Sequence, residues 1–473
     1  MGLLHQSMDT LSLKGRRSSN ASSVANEPVD GNADDTSQLD KEEGNVLMSI
    51  ISQLRPGMDL TKIALPTFVL EPRSLLERVT DFFSHPELVF GAGKLQDPQE
   101  RFMRVMTMYL SGWHIKPKGV KKPYNPILGE FFRCSYFYPD GSEGYYLAEQ
   151  VSHHPPISAF FYASPKNNIL VTGELLPKSK FLGNSAATIM EGEDRIRLLD
   201  RPEDGEYCIS MPNTYARGIL FGKLILELCE MSSIVNTKND IRADVDFKAK
   251  GWISGGYNYI AGPVKNKSRT VGEVTGHWNS VIEYTDAAKK RQVLFDANAA
   301  RTVPKTVLPE SEQDAVESRR LWSNLTTAIQ NDDMHGATAE KNIVEERQRD
   351  LARKREAEGT PHEQRFFKNV GGNKWMPKLD VDNLPKDPAE MERAIKQFVY
   401  GDADKAPKNS TPVTSPKPDQ SLVKGLGVPP VLASASSSTS NLSAVSTAEP
   451  PAAVTAPGPP APGPKATHPV VPK

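Results

Sequence analysis

The chain has 473 residues, 38% of them apolar and 24% charged, enough for one large domain with extensions or for two or three average ones. Its 57 basic and 58 acidic residues leave a formal net charge of −1, which excludes a broad electrostatic pull toward nucleic acid or an anionic bilayer. Any membrane contact is therefore expected to be local and brief. No apolar run reaches the ~18–20 residues that span a bilayer. The opening MGLLHQS is too short and polar for a secretory signal, and it departs from a myristoylation signal at Gln6. The three cysteines, Cys134, Cys208 and Cys229, stand in no CxxC or CxxH spacing, which predicts no metal site, no disulfide framework and a reducing, cytoplasmic setting.

In chain order, residues 1–44 are rich in Ser, Asn and Asp and read as a disordered acidic tail, since so few apolar groups cannot offset the entropy of ordering. Within it Arg16 and Arg17 precede Ser18 and Ser19, which reads as an ordinary polar tail or as a basophilic kinase site. Asn45–Leu54 carries an apolar helical stripe, stopped by Pro56-Gly57. Helices are also predicted over Arg73–Phe83 and over Pro98–Gly112, where Phe102, Val105, Met106, Tyr109 and Leu110 recur at helical spacing.

From about Phe131 to Ala297 the pattern changes to short β runs, among them CSYFY, YYLAEQV, ISAFFYA, ILVTGEL, KLILELC, ADVDFKA and SVIEYTD, with turns such as Pro139-Asp140-Gly141 between them. A serial meander of that length must close or split, and a barrel of more than eight strands leaves room inside for a ligand. Charged helices follow over Gln313–Gln330, Ala337–Glu358 and Pro388–Val399. Residues 404–473 are dominated by Pro, Ser, Ala and Thr and read as a second disordered tail, with Pro-x-x-Pro spacing at Pro459–Pro462 that permits docking of a protein partner. The fold class is thus mainly β with α: a large, near-complete antiparallel β-barrel enclosing a tunnel, with an N-terminal lid and flanking helices, over residues 45–403.

The most specific segment is Glu149-Gln150-Val151-Ser152-His153-His154-Pro155-Pro156. Two prolines after two histidines stop the strand ladder. Side chains adjacent on a strand point to opposite faces, so His153 and His154 are poorly placed to share a metal. At a strand end the pair can reach an anion from two sides. On the residues alone, a structural role and ligand binding stand level. Lys341, Glu345 and Arg349 are spaced i, i+4 and i+8 along a helix; alone they read as a solvent-facing ion-pair ladder. No HExxH, GxSxG or Walker loop occurs, so binding without catalysis is expected and no cofactor is implied.

EQVSHHPP resembles the signature of the oxysterol-binding-protein-related family. The resemblance runs from about Leu65 to about Asn369 and includes LPTFVLE (65–71), KPYNPILGE (122–130), KSKFLGNS (178–185) and KNIVEERQR (341–349), in the family's order. It implies a lipid-transfer barrel whose mouth binds a phosphoinositide head group through Lys122, Asn125, His153, His154, Lys341, Glu345 and Arg349. The entrance and KSKF segments are similar to those of the fungal phosphatidylserine-transporting subgroup. That similarity implies phosphatidylserine contacts at Leu70, Lys122, Asn125, Lys178 and Ser179, although Val69 and Tyr124 depart from the subgroup's common residues.

Two acyl chains hold on the order of 30 methylenes at ~0.8 kcal/mol each, so naked transit through water costs more than ~20 kcal/mol and a closed container is needed. The Asn45–Leu54 stripe is the candidate lid, or else a helix packed permanently on the barrel. The expected function is exchange of phosphatidylserine for phosphatidylinositol 4-phosphate, with transient peripheral attachment at contacts between endoplasmic reticulum and plasma membrane. The alternatives are sterol exchange, or a non-transporting lipid sensor or contact-site scaffold. The acidic run Asp34, Asp35, Asp40, Glu42 and Glu43 ahead of the lid is expected to repel anionic bilayers and speed release. Deleting residues 31–43 should then lengthen dwell time on anionic liposomes, which a liposome-release measurement reads directly.

Overall fold

The computed structural model describes residues 36–38, 47–60, 66–117, 119–221, 223–250 and 256–409. Its strands are β1 (Thr36–Gln38), β2 (Leu70–Ser74), β3 (Lys122–Tyr124), β4 (Phe131–Phe137), β5 (Glu143–His153), β6 (Pro156–Ser164), β7 (Ile169–Phe181), β8 (Ser185–Leu198), β9 (Tyr207–Ile209) and β10 (Asn213–Arg217). They continue with β11 (Lys223–Asn236), β12 (Ile241–Lys248), β13 (Tyr259–Asn266), β14 (Arg269–His277), β15 (Val281–Asp286), β16 (Arg291–Asp296), β17 (Lys305–Thr306), β18 (Phe367–Gly371) and β19 (Lys374–Pro377). A single 15-stranded sheet runs in the order β16-β15-β14-β13-β12-β11-β10-β8-β7-β6-β5-β4-β17, with β1 paired to β11 and β9 lying between β8 and β11. Its ladders are antiparallel between successive strands, as the expected meander requires.

The sheet wraps around the chain that precedes it. Residues 47–51 are helical (α1); α2 (Leu75–Arg78) and α3 (Pro98–Ser111) come next, joined by short 3-10 turns. Asp97 caps α3, its side chain accepting from the Gln99 amide at 2.9 Å, with Pro98 at the first helical position. Leu76, Val79, Phe83, Phe102, Val105, Met106 and Tyr109 from this segment join the inward residues of the sheet, such as Phe132, Tyr146 and Phe160, in one core. The guanidinium of Arg101, buried inside, makes two 2.6 Å bonds to Asp204 and so clamps α3 to the chain that leads into β9.

Neighbouring positions of β4–β6 face the other way. Phe131, Tyr145, Leu147, Phe161 and Ala163 form a second core with Ile395 and Val399 of α7 (Pro388–Tyr400) and with Trp375 of the β18–β19 hairpin. Both faces of these strands are covered, which is why YYLA (145–148) and AFFYA (159–163) read as unbroken apolar runs rather than alternating ones. The Glu149 carboxylate fastens the outer layer by accepting from the amides of Arg365, Phe366 and Phe367 at 2.6, 2.8 and 3.2 Å.

Several expectations need correction. Within the stretch expected to be wholly disordered, 1–44, residues 36–38 pair with β11; the acidic run beside them and the Arg16–Ser19 segment lie outside the described residues. Of the expected C-terminal tail only residues 404–409 are described, so Pro459–Pro462 also lies outside. Residues 70–74 are strand, so the helix expected from Arg73 starts at Leu75 and gives way to a 3-10 turn after Arg78. The Gln313–Gln330 helix is two, α4 (Ser318–Leu321) and α5 (Ser323–Gln330), broken at the buried Trp322, while α6 begins three residues early (Met334–Glu358). The run SAATIMEGEDRIRL forms β8, a strand of 14 residues that its charges disguise. Gly192 there has φ +121 and lies against the Glu174 carbonyl, 1.9 Å from where a Cβ would stand.

Asp194 of β8 is buried with one carboxylate oxygen unpartnered. Burial, reinforced by Glu174, pushes its pKa up to about 8. The folded state therefore holds this proton where the unfolded chain, with a pKa of about 3.9, has lost it. Stability is full below the unfolded value and declines as pH rises toward 8, by up to ~1.4 kcal/mol per pH unit. Asp194→Asn should raise the melting temperature at pH 8 more than at pH 4 and flatten the pH profile between them, as measured by thermal denaturation.

Candidate functional site

Two motif segments meet at the mouth of the barrel. Leu70 pairs with Lys122, and Ser74 with Tyr124, where β2 and β3 run parallel. The Lys121 ammonium donates to the Phe68 carbonyl at 2.5 Å, tying the same pair of segments together. Beneath them Leu70, Tyr124, Ile127, Trp322, Leu325 and Ala337 make a small core that seats α4, α5 and the start of α6 on the KPYNPILGE loop. Glu130, fully buried, accepts from the Ser74 hydroxyl at 2.5 Å, the Ser318 hydroxyl at 2.7 Å, and the Trp322 indole and Ile127 amide at 3.0 Å each. Burial raises its pKa against the pull of those donors.

This arrangement brings cations together. Burial lowers the pKa of Lys122, and Lys341 of α6 lowers it further, with Asp59 opposing. Two ammonium groups repelling one another at a half-buried rim make a site that an anion completes. Burial and the His154 ring hold His153 below the usual histidine range, while the Pro126 carbonyl and Glu345 pull the other way. The two imidazoles lie edge to face with centroids 4.6 Å apart. Strand alternation ends at His153, so the pair does not splay to opposite faces as two mid-strand residues would. The His153 Nδ1 is buried without a partner. Asn125 is exposed between its two prolines.

On α6, Lys341 pairs with Glu345 at 2.8 Å. The ladder stops there. Arg349 pairs instead with Glu346 at 2.7 Å and is 52% exposed. Helix geometry explains the break: eight residues advance 2.2 turns and rotate by about 80°, whereas seven return to within about 20°. Gln348, seven residues on from Lys341, keeps the inner face, and its side-chain oxygen is buried and unpartnered. Gln348 was not legible as a site residue because an uncharged amide among charges carries no signal.

A cavity of ≈330 Å³ opens behind the mouth. Lys122, Asn125 and Pro156 border it at the polar end, and Trp113, Leu175, Met190, Met211, Leu228 and Trp278 are among its apolar walls. Leu47 and Leu60 line it from the N-terminal segment, where Leu47 and Ile51 pack on Phe181, Ile219 and Leu224. The candidate lid, as far as residues 47–60 describe it, therefore lies over the cavity. Residues 61–65, including Leu65 of the entrance motif, lie outside the described residues.

The phosphatidylserine-type residues divide. Ser179 lines the cavity. Lys178, its neighbour on β7, points to the outer face, where it is 52% exposed and bonded to Glu191 at 2.6 Å. The period-2 geometry of a strand forbids both from facing one head group, and this corrects their pairing. The contact expected at Leu70 is through its backbone; its side chain turns into the small core, and its neighbour Val69 lines the cavity. Among the described residues no helix is long and apolar enough to cross a membrane, and no group of three or more His, Cys, Asp or Glu side chains is placed to hold a metal ion.

A large β-barrel with a cationic mouth over an apolar cavity is the architecture of a lipid-binding protein. Residues 49–328 match the family model of the oxysterol-binding protein, and the chain belongs to that family of lipid-binding and lipid-transfer domains. It is 46% identical over 335 residues to the oxysterol-binding protein-like protein OBPa of Candida albicans, covering 70% of this chain and 77% of the relative. It is 41% identical over 392 residues to oxysterol-binding protein homolog 6 of Saccharomyces cerevisiae, covering 80% and 86%. The crystal structure of the Osh1 ORD domain in complex with cholesterol superposes with a TM-score of 0.59 at 26% identity, covering 76% of this chain and 90% of that one. The Osh3 ORD in complex with PI(4)P, from Saccharomyces cerevisiae, shares the fold with a TM-score of 0.55 at 18% identity, covering 78% and 96%.

Glu130→Ala would strand three buried donors at about 1–3 kcal/mol each, while the Ser318 hydroxyl keeps the Phe131 carbonyl at 3.2 Å. A loss of at least ~3 kcal/mol in chemical denaturation is expected, against a small effect for the exposed Arg349→Ala.

Proposed function

We propose that this chain exchanges phosphatidylserine for phosphatidylinositol 4-phosphate between membranes, by binding and without catalysis. The observation that carries the reading is the approach of two cations, Lys122 bordering an apolar cavity and Lys341 on α6, with Asp59 and Glu345 as their acidic neighbours. A phosphomonoester, carrying nearly two charges and three acceptor oxygens, satisfies such a rim, with His153, His154, Glu345 and Asn125 around it. The acyl chains enter the cavity, and α1 shields them from water. Support for phosphatidylserine comes from the resemblance of the LPTFVLE and KSKFLGNS segments to the phosphatidylserine-transporting subgroup, together with the Ser179 hydroxyl on the cavity wall.

Membrane contact is brief and made by the lid region. Met48, Leu182 and Leu220 are large apolar side chains 44%, 47% and 43% exposed, next in sequence to Leu47, Phe181 and Ile219, which pack together under α1. Three such side chains give a shallow foothold on a bilayer without anchoring the protein. Peripheral attachment at contacts between endoplasmic reticulum and plasma membrane follows from the proposed cargo pair. A sterol as the second cargo is the competing reading, favoured by the likeness to the cholesterol-bound Osh1 domain.

Transfer between two liposome populations decides between them. Phosphatidylserine in the donors should move faster when the acceptors contain phosphatidylinositol 4-phosphate, and His153→Ala/His154→Ala should remove most of that acceleration. No phosphatidylserine movement, with sterol moving instead, would overturn the cargo assignment.

A further inference from the structure

Three neighbouring strands place hydroxyls side by side on the cavity wall. In the sheet register Ser179 of β7 stands opposite Thr188 of β8, and Thr188 stands opposite Thr214 of β10. All three line the cavity. The Ser179 and Thr188 hydroxyls are 3.4 Å apart, a contact long enough to leave both free to turn toward a ligand. Period-2 geometry makes the neighbouring rungs on the same face easy to read. On one side are Pro177 and Met190, which are cross-strand partners; on the other are Ala186 and Ala216, also partners. All four line the same cavity. A single polar rung thus crosses an otherwise apolar wall, and it ends at Leu228 of β11, opposite Thr214.

The rung lies near the cationic mouth. Lys180, next to Ser179, makes a backbone bridge with Asp59 of the N-terminal segment. The Asp59 carboxylate acts in turn on the Lys122 ammonium. Hydroxyls differ from the mouth's cations in what they recognise. A lysine pair selects for negative charge, whereas a hydroxyl both donates and accepts and so suits a group that carries donors and acceptors together. Of the two proposed cargo heads, the amino-acid head has an ammonium beside a carboxylate. The inositol phosphate is served by the lysines and histidines.

We propose that Thr188 and Thr214 extend Ser179 into a hydroxyl rung that reads the amino-acid head group of a diacyl phospholipid, and that they are specificity-determining residues for that cargo alone. The inference rests on the exchange reading above. Its wall position also lets one cavity treat two heads differently: the phosphomonoester is held at the rim, and the serine moiety, an ammonium beside a carboxylate, is held at the wall.

The test uses the full chain and vesicles carrying either phosphatidylserine or phosphatidylinositol 4-phosphate, with lipid uptake measured for each. Thr188→Val/Thr214→Val keeps the side-chain shape and removes both hydroxyls. Phosphatidylserine uptake should weaken about tenfold, and phosphoinositide uptake should stay within about twofold of the wild type. Thr188→Ser/Thr214→Ser, which keeps the hydroxyls, should restore phosphatidylserine uptake. Unchanged phosphatidylserine uptake in the valine variant would overturn the rung while leaving the exchange reading intact. Equal loss of both lipids in the valine and serine variants would overturn it too, showing the threonines to be wall structure. Failure of the exchange reading is seen separately, as a wild-type protein that takes up no phosphatidylserine, and the rung falls with it.

Discussion

The Glu130 carboxylate is taken wholly out of water and is held by donors from Ser74, Ile127, Ser318 and Trp322. Those donors belong to the entrance strand, the proline-bracketed loop and the two ends of α4. Remove the carboxylate and each segment keeps its local structure but loses its position relative to the others. The candidate head-group residues depend on those positions: Lys122 is on β3, His153 reaches the Pro126 carbonyl, and Lys341 is on the helix seated by Trp322 and Ala337. A buried carboxylate with neutral partners costs desolvation energy that a salt bridge would partly return. It also adds no cation of its own to the mouth.

That restraint extends to Glu149. Its carboxylate is satisfied by backbone amides of 365–367. Both acids come from the motifs that carry the family resemblance, and both are spent on fixing chain segments. Lys122 and Lys341 are left with Asp59 and Glu345 as their acidic neighbours. Under the proposed function, relief of the repulsion between the two ammonium groups contributes to holding a phosphate there.

Much of the fold was legible because its strands obey simple rules. β4 to β7 are apolar and bounded by turn residues, and α3 has a helical stripe between a cap and a glycine. The misses have physical causes. β8 is hard to read because Glu191, Glu193, Asp194, Arg195 and Arg197 mask its pattern, although two of them are buried: Arg195 against Glu174 across the sheet, and Asp194. The β18–β19 hairpin is hard to read because its apolar anchors, Phe366-Phe367 and Trp375-Met376, are short pairs in polar surroundings. At the candidate site, the positions of KPYNP and HHPP at strand ends were legible, since prolines fix where strands end. Phase along an element was lost where a motif was treated as a block. Arg349 is rotated out of line with Lys341, and Lys178 faces opposite to Ser179.

The same phase argument bears on how one cavity can serve two cargoes in turn. The inner wall of β7, β8 and β10 is open to whatever occupies the cavity, while the groups proposed to hold a phosphate belong to β3, the end of β5 and α6. Under the proposed exchange, the acyl chains of either lipid fill the same apolar volume, so the two are mutually exclusive whatever their heads do. Direction then needs no energy source in the protein. A barrel emptied of one lipid at a membrane is refilled by whichever lipid that membrane offers, and the lid closes over the result. Head-group selectivity at rim and wall decides which two lipids compete, and the composition of the two membranes decides which way each one moves.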